Sequence, residues 1–307
     1  MPSYPLFIAH WNAPEACLDS VAGLRKAGTP LRIVIADNNS EPEKRARLRR
    51  GLPQDVELVE IPENRGFGGA LNVLLHRWLG EPSEEEFCFL ASHDVMPRKD
   101  CLELLAQAML SDRSIGIACP DQDAESSPVY PHFSPVLGPR SIRCQPGGKG
   151  ELKDVVFANA TLFAVRRRCI RDLDLFFDER FFCYGEEYDF GLRASRAGWR
   201  VVLVWGATVD NPGRVAPSLL YSYLHGRNSL FLALRYGGAV AAALRASLFL
   251  LNTARLLCFD AKNHRVGEFG RGRARALIDF LRGRYGPPPA SLSPRWRAVT
   301  WRPYQEG

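Results

Sequence analysis

The chain has 307 residues, 46% of them apolar, and carries 40 Lys/Arg against 34 Asp/Glu for a net charge of +6. This composition excludes a disordered polyelectrolyte or a fibre, and the length allows one large core or two modest ones. The charge is unevenly placed: residues 1–213 hold 25 Lys/Arg and 30 Asp/Glu, whereas residues 214–307 hold 15 and 4. The expected division is a mildly acidic domain over 1–213 and a basic, helical C-terminal region over 214–307.

In chain order, Leu6–Ala9 reads as a buried strand and Glu15–Ala27 as a helix with Leu18, Val21, Ala22 and Leu24 on one face. Leu31–Ala36 is a second strand, ended by the polar turn Asp37-Asn38-Asn39-Ser40, and a charged helix follows over Glu43–Arg50. Val56–Ile61 is a third strand, Arg65–Leu79 a helix entered through a glycine-rich turn, Glu86–Ala91 a fourth strand, and Asp100–Leu110 another helix. Such alternation predicts an α/β fold, a doubly wound and mainly parallel sheet with helices on both faces. Ligands of these sheets bind beyond the carboxyl ends of the strands. Asn12, Asp37, Asn64 and Asp94 each follow a predicted strand and are expected along one rim.

Beyond Ser111 a Pro- and Gly-rich stretch, 121–150, reads as loops or a short hairpin. Val155–Val165 and Val201–Trp205 are strand-like. Between them, Glu186, Glu187 and Asp189 fill the first turn of a helix that ends at Gly198, preceded by the aromatic run around Phe176, Phe177, Phe181 and Phe182. Acids at a helix start are favoured by its dipole, and Asp189 can pair with Arg193 at i,i+4. A carboxylate beside an aromatic wall also suits a general base.

The glycines from Gly66 to Gly69 resemble a dinucleotide fingerprint, but four residues separate them from the preceding strand, where the true fingerprint turns directly into its helix. The eight cysteines form no Cys-x-x-Cys pair and no zinc-like cluster, which suits buried thiols in a reducing compartment. The N-terminal residues lack a basic n-region, so a cytoplasmic protein without a signal peptide is expected. From Gly237 to Phe259 an apolar stretch is interrupted by Arg245 and Arg255, which argues against a spanning helix and leaves an interfacial or a core helix. Arg271, Arg273, Arg275, Arg282 and Arg284 follow it.

Several of these segments, in the same order, resemble glycosyltransferase family 2, whose members have a GT-A fold and move a sugar from a nucleotide donor with inversion. Ile33–Ser40 is similar to the strand ending in Asp-Asn-Gly-Ser, Glu63–Asn72 to the Asn-x-Gly-Phe stretch that lines the donor, and Phe89–Val95 to the Asp-x-Asp-like metal motif. Phe177–Arg193 resembles the segment that carries the catalytic base, and Tyr223–Leu230 the late Arg-Asn stretch; the likeness covers about residues 5–235 and has a rhamnosyltransferase-like style. It implies Glu187 as base with Glu186 beside it as a second catalytic acid. His10, Asn12, Asp37, Asn64, Arg65, Gly66, Asn72, Ser92, His93 and Asp94 are the implied donor-binding residues, with Asp37 on the nucleobase. Asp94 and Asp210 are the implied ligands of a divalent metal, Mg or Mn.

Four residues, in three places, depart from the family pattern. Ser92 and His93 stand where acids or Asn are usual, Glu187 where Asp is usual, and Asp210 where a later His is usual. The expected partners are a nucleotide-diphosphate sugar, an acceptor of unknown identity and an anionic membrane surface met by the basic region from the cytoplasmic side; no nucleic acid is expected. The alternative is a non-catalytic sugar-nucleotide-binding protein on the same fold.

Overall fold

The computed structural model describes residues 3–82, 85–121, 129–158, 161–173, 176–210, 219–259 and 264–292. In order these form β1 (Tyr4–His10), α1 (Pro14–Lys26), β2 (Leu31–Asp37), α2 (Pro42–Gly51), β3 (Glu57–Glu60), α3 (Gly66–Gly80), β4 (Phe87–Ser92), β5 (Met96–Pro97), α4 (Cys101–Ser111) and β6 (Ile115–Asp121). A hairpin of β7 (Val129–Ser134) and β8 (Gly138–Arg143) precedes β9 (Leu152–Asp154), β10 (Leu162–Arg166), α5 (Arg167–Asp172), α6 (Glu186–Arg196) and β11 (Arg200–Asp210). Helices α7 (Leu219–Phe259) and α8 (His264–Leu281) and a 3-10 turn (Ala290–Leu292) follow. The chain groups into two compact units: Met1–His132, Ser141–Phe177 and Glu187–Gly213; and Phe133–Arg140, Asp178–Glu186 and Arg214–Gly307.

The first unit is built on one sheet of strand order β3-β2-β1-β4-β10-β6-β11-β5, with β9 also on β11. Strands β1, β2, β3 and β4 pair in parallel, as do β6 and β11, while β10 runs antiparallel to both of its neighbours. Period-two alternation divides each central strand between two cores. Leu6 and Ile8, Ile33 and Ile35, and Phe87 and Phe89 face one core with Cys17, Val21 and Leu24 of α1 and Leu102 and Leu105 of α4. Phe7, Val34, Cys88 and Leu90 face the other, with Leu71, Leu74 and Trp78 of α3 and Phe190 and Ala194 of α6. Both faces are covered, so the strands read as nearly continuous apolar runs.

Two readings change here. β6 lies where the sequence pattern loosens, because Gly116 and Pro120 interrupt an otherwise apolar run. Val155–Val165 is not one strand: β10 starts only at Leu162, and the 155–158 segment turns under α6, where Val155 and Ala158 join the second core. Helix α6 approaches that segment through Gly191, whose missing Cβ would lie 2.4 Å from the Phe157 Cα.

In the second unit, α7 breaks at Gly238, which takes φ 71°. Its first half packs on α8 at Gly272, where a Cβ would lie 2.5 Å from the Leu219 carbonyl oxygen. The core there joins Tyr223, Leu224, Leu230 and Phe249 of α7 to Ala276 of α8 and to Phe182. The basic helices thus form a packed body that includes the segment ending at Glu186.

Because its neighbour at Gly191 is backbone, it cannot move aside as a flexible side chain would. Gly191→Ala should destabilise the protein by about 1–3 kcal/mol, read as a lower denaturant midpoint at an unchanged slope.

Candidate active site

Parallel pairing brings the polar positions to one rim. His10 is in register with Asp37 across β1 and β2, and Ala9 with Ser92 across β1 and β4. The turns after these strands are then joined by side chains. Asn12, at φ 54°, donates its N–H to Ser40 Oγ at 2.9 Å and accepts from the Glu41 N–H at 2.8 Å. Asn38 donates its amide to Asn64 Oδ1 and to the Gly66 carbonyl, each at 2.9 Å, and accepts from the Arg65 N–H at 2.9 Å. Asn64 Oδ1 in turn accepts from the Gly66 N–H at 2.9 Å. Helix α3 therefore starts at a fixed point of the rim, with Gly66 at φ 77° making the turn.

Asp37 sits beneath this rim with none of its side chain exposed. His10 Nδ1 lies 2.9 Å from its Oδ1, and the Ser40 N–H reaches its Oδ2 at 3.1 Å. The Ala13 N–H donates to His10 Nε2 at 3.2 Å, so the ring proton belongs on Nδ1, directed at the carboxylate. Burial by itself raises the Asp37 pKa, but the His10 and Ser40 hydrogen bonds outweigh it and hold the carboxyl below its usual range. Through these partners the buried Asp37 and His10 tie together the turns that follow β1 and β2.

At the end of β4, Ser92 donates its hydroxyl to Asp94 Oδ1 at 2.6 Å. His93 stacks edge-on against His10, with ring centroids 5.7 Å apart. Burial keeps the His93 ring below the ordinary histidine range; the Asp94 charge opposes this and His10 adds to it.

Asp94 is half-buried on the rim. Among the described residues no three His, Cys, Asp or Glu side chains gather into a metal-ligand set. Asp210 stands at the end of β11 in register with Met96, but both of its oxygens accept from Arg98 at 3.0 Å. Asp210 is thus held in an exposed, two-point ion pair.

Asn72 lies inside the fold, 5% exposed, and brackets one residue: its Oδ1 accepts from the Phe177 N–H at 3.0 Å and its amide donates to the Phe177 carbonyl at 2.9 Å. Asn72 is thus a strut between α3 and the aromatic run. Farther along, α6 opens with Glu186 and Glu187, 2% and 9% exposed. Asp189 is fully buried and accepts from Arg193 Nε at 2.8 Å, which is the pairing expected from their spacing.

The segment leading to Glu186 is held within the second unit. Phe182 and Tyr184 take φ of 66° and 67°, and Gly185 takes 117°. The carbonyls this twist frees are met by Asn228, whose amide lies 2.8, 2.9 and 2.7 Å from those of Phe181, Cys183 and Tyr184. Arg227, fully buried, donates to Asn228 Oδ1 at 3.0 Å and to the Phe181 carbonyl at 3.1 Å. Its position is set by Tyr223, whose hydroxyl donates to Asp279 at 3.0 Å. Arg227 and Asn228 are legible in the sequence only as part of the late Arg-Asn resemblance. Asn38 and Tyr223 likewise lie inside the resembling stretches Ile33–Ser40 and Tyr223–Leu230, whereas Asp279 carries no comparable signal.

The sequence profile of glycosyl transferase family 2 matches residues 6–173. An N-acetylglucosaminyl-diphospho-decaprenol L-rhamnosyltransferase of Mycobacterium tuberculosis is 27% identical over 252 residues, covering 71% of this chain and 80% of that protein. Among solved structures, GalNAc-T7 with UDP, GalNAc and Mn2+ superposes with a TM-score of 0.61 at 13% identity, over 92% of this chain and 57% of that one. A mannosyltransferase from Pyrobaculum calidifontis in complex with GDP-Man and Mn2+ gives 0.57 at 15% identity, over 91% and 87%. The chain belongs to glycosyl transferase family 2. It has the GT-A fold and is a glycosyltransferase.

The depressed Asp37 pKa has a definite pH consequence. A carboxyl depressed on folding stabilises the protein above its unfolded value of about 4 and loses that contribution as pH falls through the folded value. Asp37→Asn should therefore be less stable than the wild type at pH 7. The gap should narrow below about pH 4, as followed by denaturant unfolding across pH.

Proposed function

We propose that this glycosyltransferase transfers a nucleotide-activated sugar with inversion to a hydroxyl of a lipid-linked acceptor, and that Glu187 is the base. The observation that carries the reading is the convergence of Asn12, Asn38, Asn64 and Asp94 on one rim of the sheet, above the buried His10–Asp37 pair. Asn12, Asn64, Arg65, Gly66, Ser92 and His93 border the donor. The acids of α6 separate by accessibility: Asp189 is buried against Arg193, Glu186 is nearly buried, and Glu187 is the most exposed of the three. Glu186 is assigned to support of the acceptor side.

In the reaction the acceptor hydroxyl gives its proton to Glu187 while its oxygen attacks the anomeric carbon. The bond to the diphosphate breaks on the opposite face, and the nucleoside diphosphate leaves with the electron pair. A single displacement inverts the anomeric centre. The donor set around Asp94 suits a divalent cation shared with the diphosphate, since Mg2+-type sites use one or two carboxylates completed by phosphate oxygens and water. When bound, such a cation supplies positive charge to the leaving diphosphate.

The mycobacterial relative supports a narrower donor and acceptor, an activated deoxyhexose such as rhamnose and a sugar on a polyprenyl diphosphate. Such an acceptor lies in a membrane. The buried thiols of Cys17, Cys88, Cys101 and Cys169 suit its reducing, cytoplasmic side.

Glu187→Gln should lower turnover by about 10²–10⁴-fold while nucleotide-sugar binding, measured by calorimetry, stays near the wild-type value; near-normal turnover would remove Glu187 as the base. Asp94→Ala should abolish the dependence of donor binding on added Mn2+. If wild type and variant respond alike to the ion, the metal assignment to Asp94 is wrong.

A further inference from the structure

The second half of α7 is apolar on the wrong side for a helix in water. Val240, Leu244, Leu248, Leu250 and Leu251 are 51–76% exposed, and at 100° per residue they fall with Ala243 and Ala254 within an arc of about 160°. Ser247 is a polar side chain inside that arc, and its hydroxyl already donates to the Ala243 carbonyl at 3.0 Å. Arg245 and Thr253 lie on the opposite, packed face, whereas the exposed Arg255 falls inside the arc at its C-terminal end. Arg245 donates to the Val136 carbonyl at 2.9 Å, and Arg273 of α8 covers the Phe249 ring at 3.7 Å while donating to Thr253 Oγ1 at 3.0 Å. An exposed helix normally has the reverse arrangement.

We infer that this face of α7 lies flat in the headgroup boundary of a bilayer containing anionic phospholipid. Length and composition would let the helix span a membrane, but one whole side of it is engaged with protein and carries Arg245 and Thr253. A segment so anchored lies in the plane of the interface. Charge selects the occupant. Arg255 is exposed at the end of the stripe, and α8 exposes Ile278 and Leu281 between Arg271 and Arg282. Residues 214–307 carry 15 Lys/Arg against 4 Asp/Glu, which attracts phosphate headgroups and repels a second copy of the same surface. The inference deepens the reading of a membrane-borne acceptor by naming the surface that meets the lipid, and it fails separately from that reading.

The test is flotation of the full chain with phosphatidylcholine vesicles, with and without phosphatidylglycerol. The wild type should float with the anionic vesicles, less so as salt rises. Leu244→Glu, Leu248→Glu and Leu251→Glu together should weaken partitioning about tenfold or more. Arg271→Glu with Arg282→Glu should remove the preference for phosphatidylglycerol. Leu248→Trp, a milder change, should show a blue-shifted emission on adding anionic vesicles and quenching by brominated lipid. The inference is overturned if the triple variant floats as well as the wild type, or if the Leu248→Trp emission ignores lipid. It is also overturned if the wild type sediments as a dimer that the triple variant dissociates. Donor hydrolysis in solution should be unchanged in all these variants, so a failure of the lipid assay leaves the transferase assignment standing.

Discussion

A carboxylate removed from water must be answered by hydrogen bonds, and Asp37 imposes that constraint on the whole donor side of the sheet. Its Oδ1 takes His10 from the end of β1, and its Oδ2 takes the backbone of the turn after β2. Because His10 Nε2 is in turn occupied by the Ala13 N–H, the start of α1 is tied to the same point. Asn12 and Asn38 extend the network outward to Ser40, Glu41, Asn64 and Gly66. The rim is held together because each of these short polar side chains bridges two turns.

The second unit solves the same problem for the acid-bearing segment. A backbone with positive φ at Phe182, Tyr184 and Gly185 makes none of the regular ladder bonds, so Asn228 and Arg227 take its carbonyls. Arg227 is itself a buried cation, and burial lowers its pKa while Tyr223 and Asp279 counteract this. Asp279 also accepts from Arg275 at 2.9 Å. Helices α7 and α8 are thus needed to hold Glu186 and the segment before it.

Much of the donor-side architecture was legible in the sequence because it depends on local pattern. Strands β1, β2 and β4 are apolar runs that stop at polar residues, and the stop marks the rim. Asp189 and Arg193 pair as their i,i+4 spacing requires. The misread elements share another cause. β6 holds its place despite Gly116 and Pro120 because Ile115, Ile117 and Ala118 are covered on both faces, which no local propensity reports. The 155–165 run is largely apolar, yet only its last part forms a strand, because Val155 and Ala158 at its beginning pack in the core beside Phe190 and Ala194 of α6.

The sequence alone determined the α/β alternation, the family, the basic character of the C-terminal region and the set of acids among which the chemistry lies. These follow from periodicity, composition and short motifs, all properties of neighbouring residues. Only the tertiary structure decided which of those groups remain available. Asp210 is paired by Arg98 from 112 residues away, Asn72 is bound to Phe177 from 105 away, and Asp37 is enclosed by His10. The availability of a side chain depends on partners brought together by the folded chain, and that information is not carried by any local pattern.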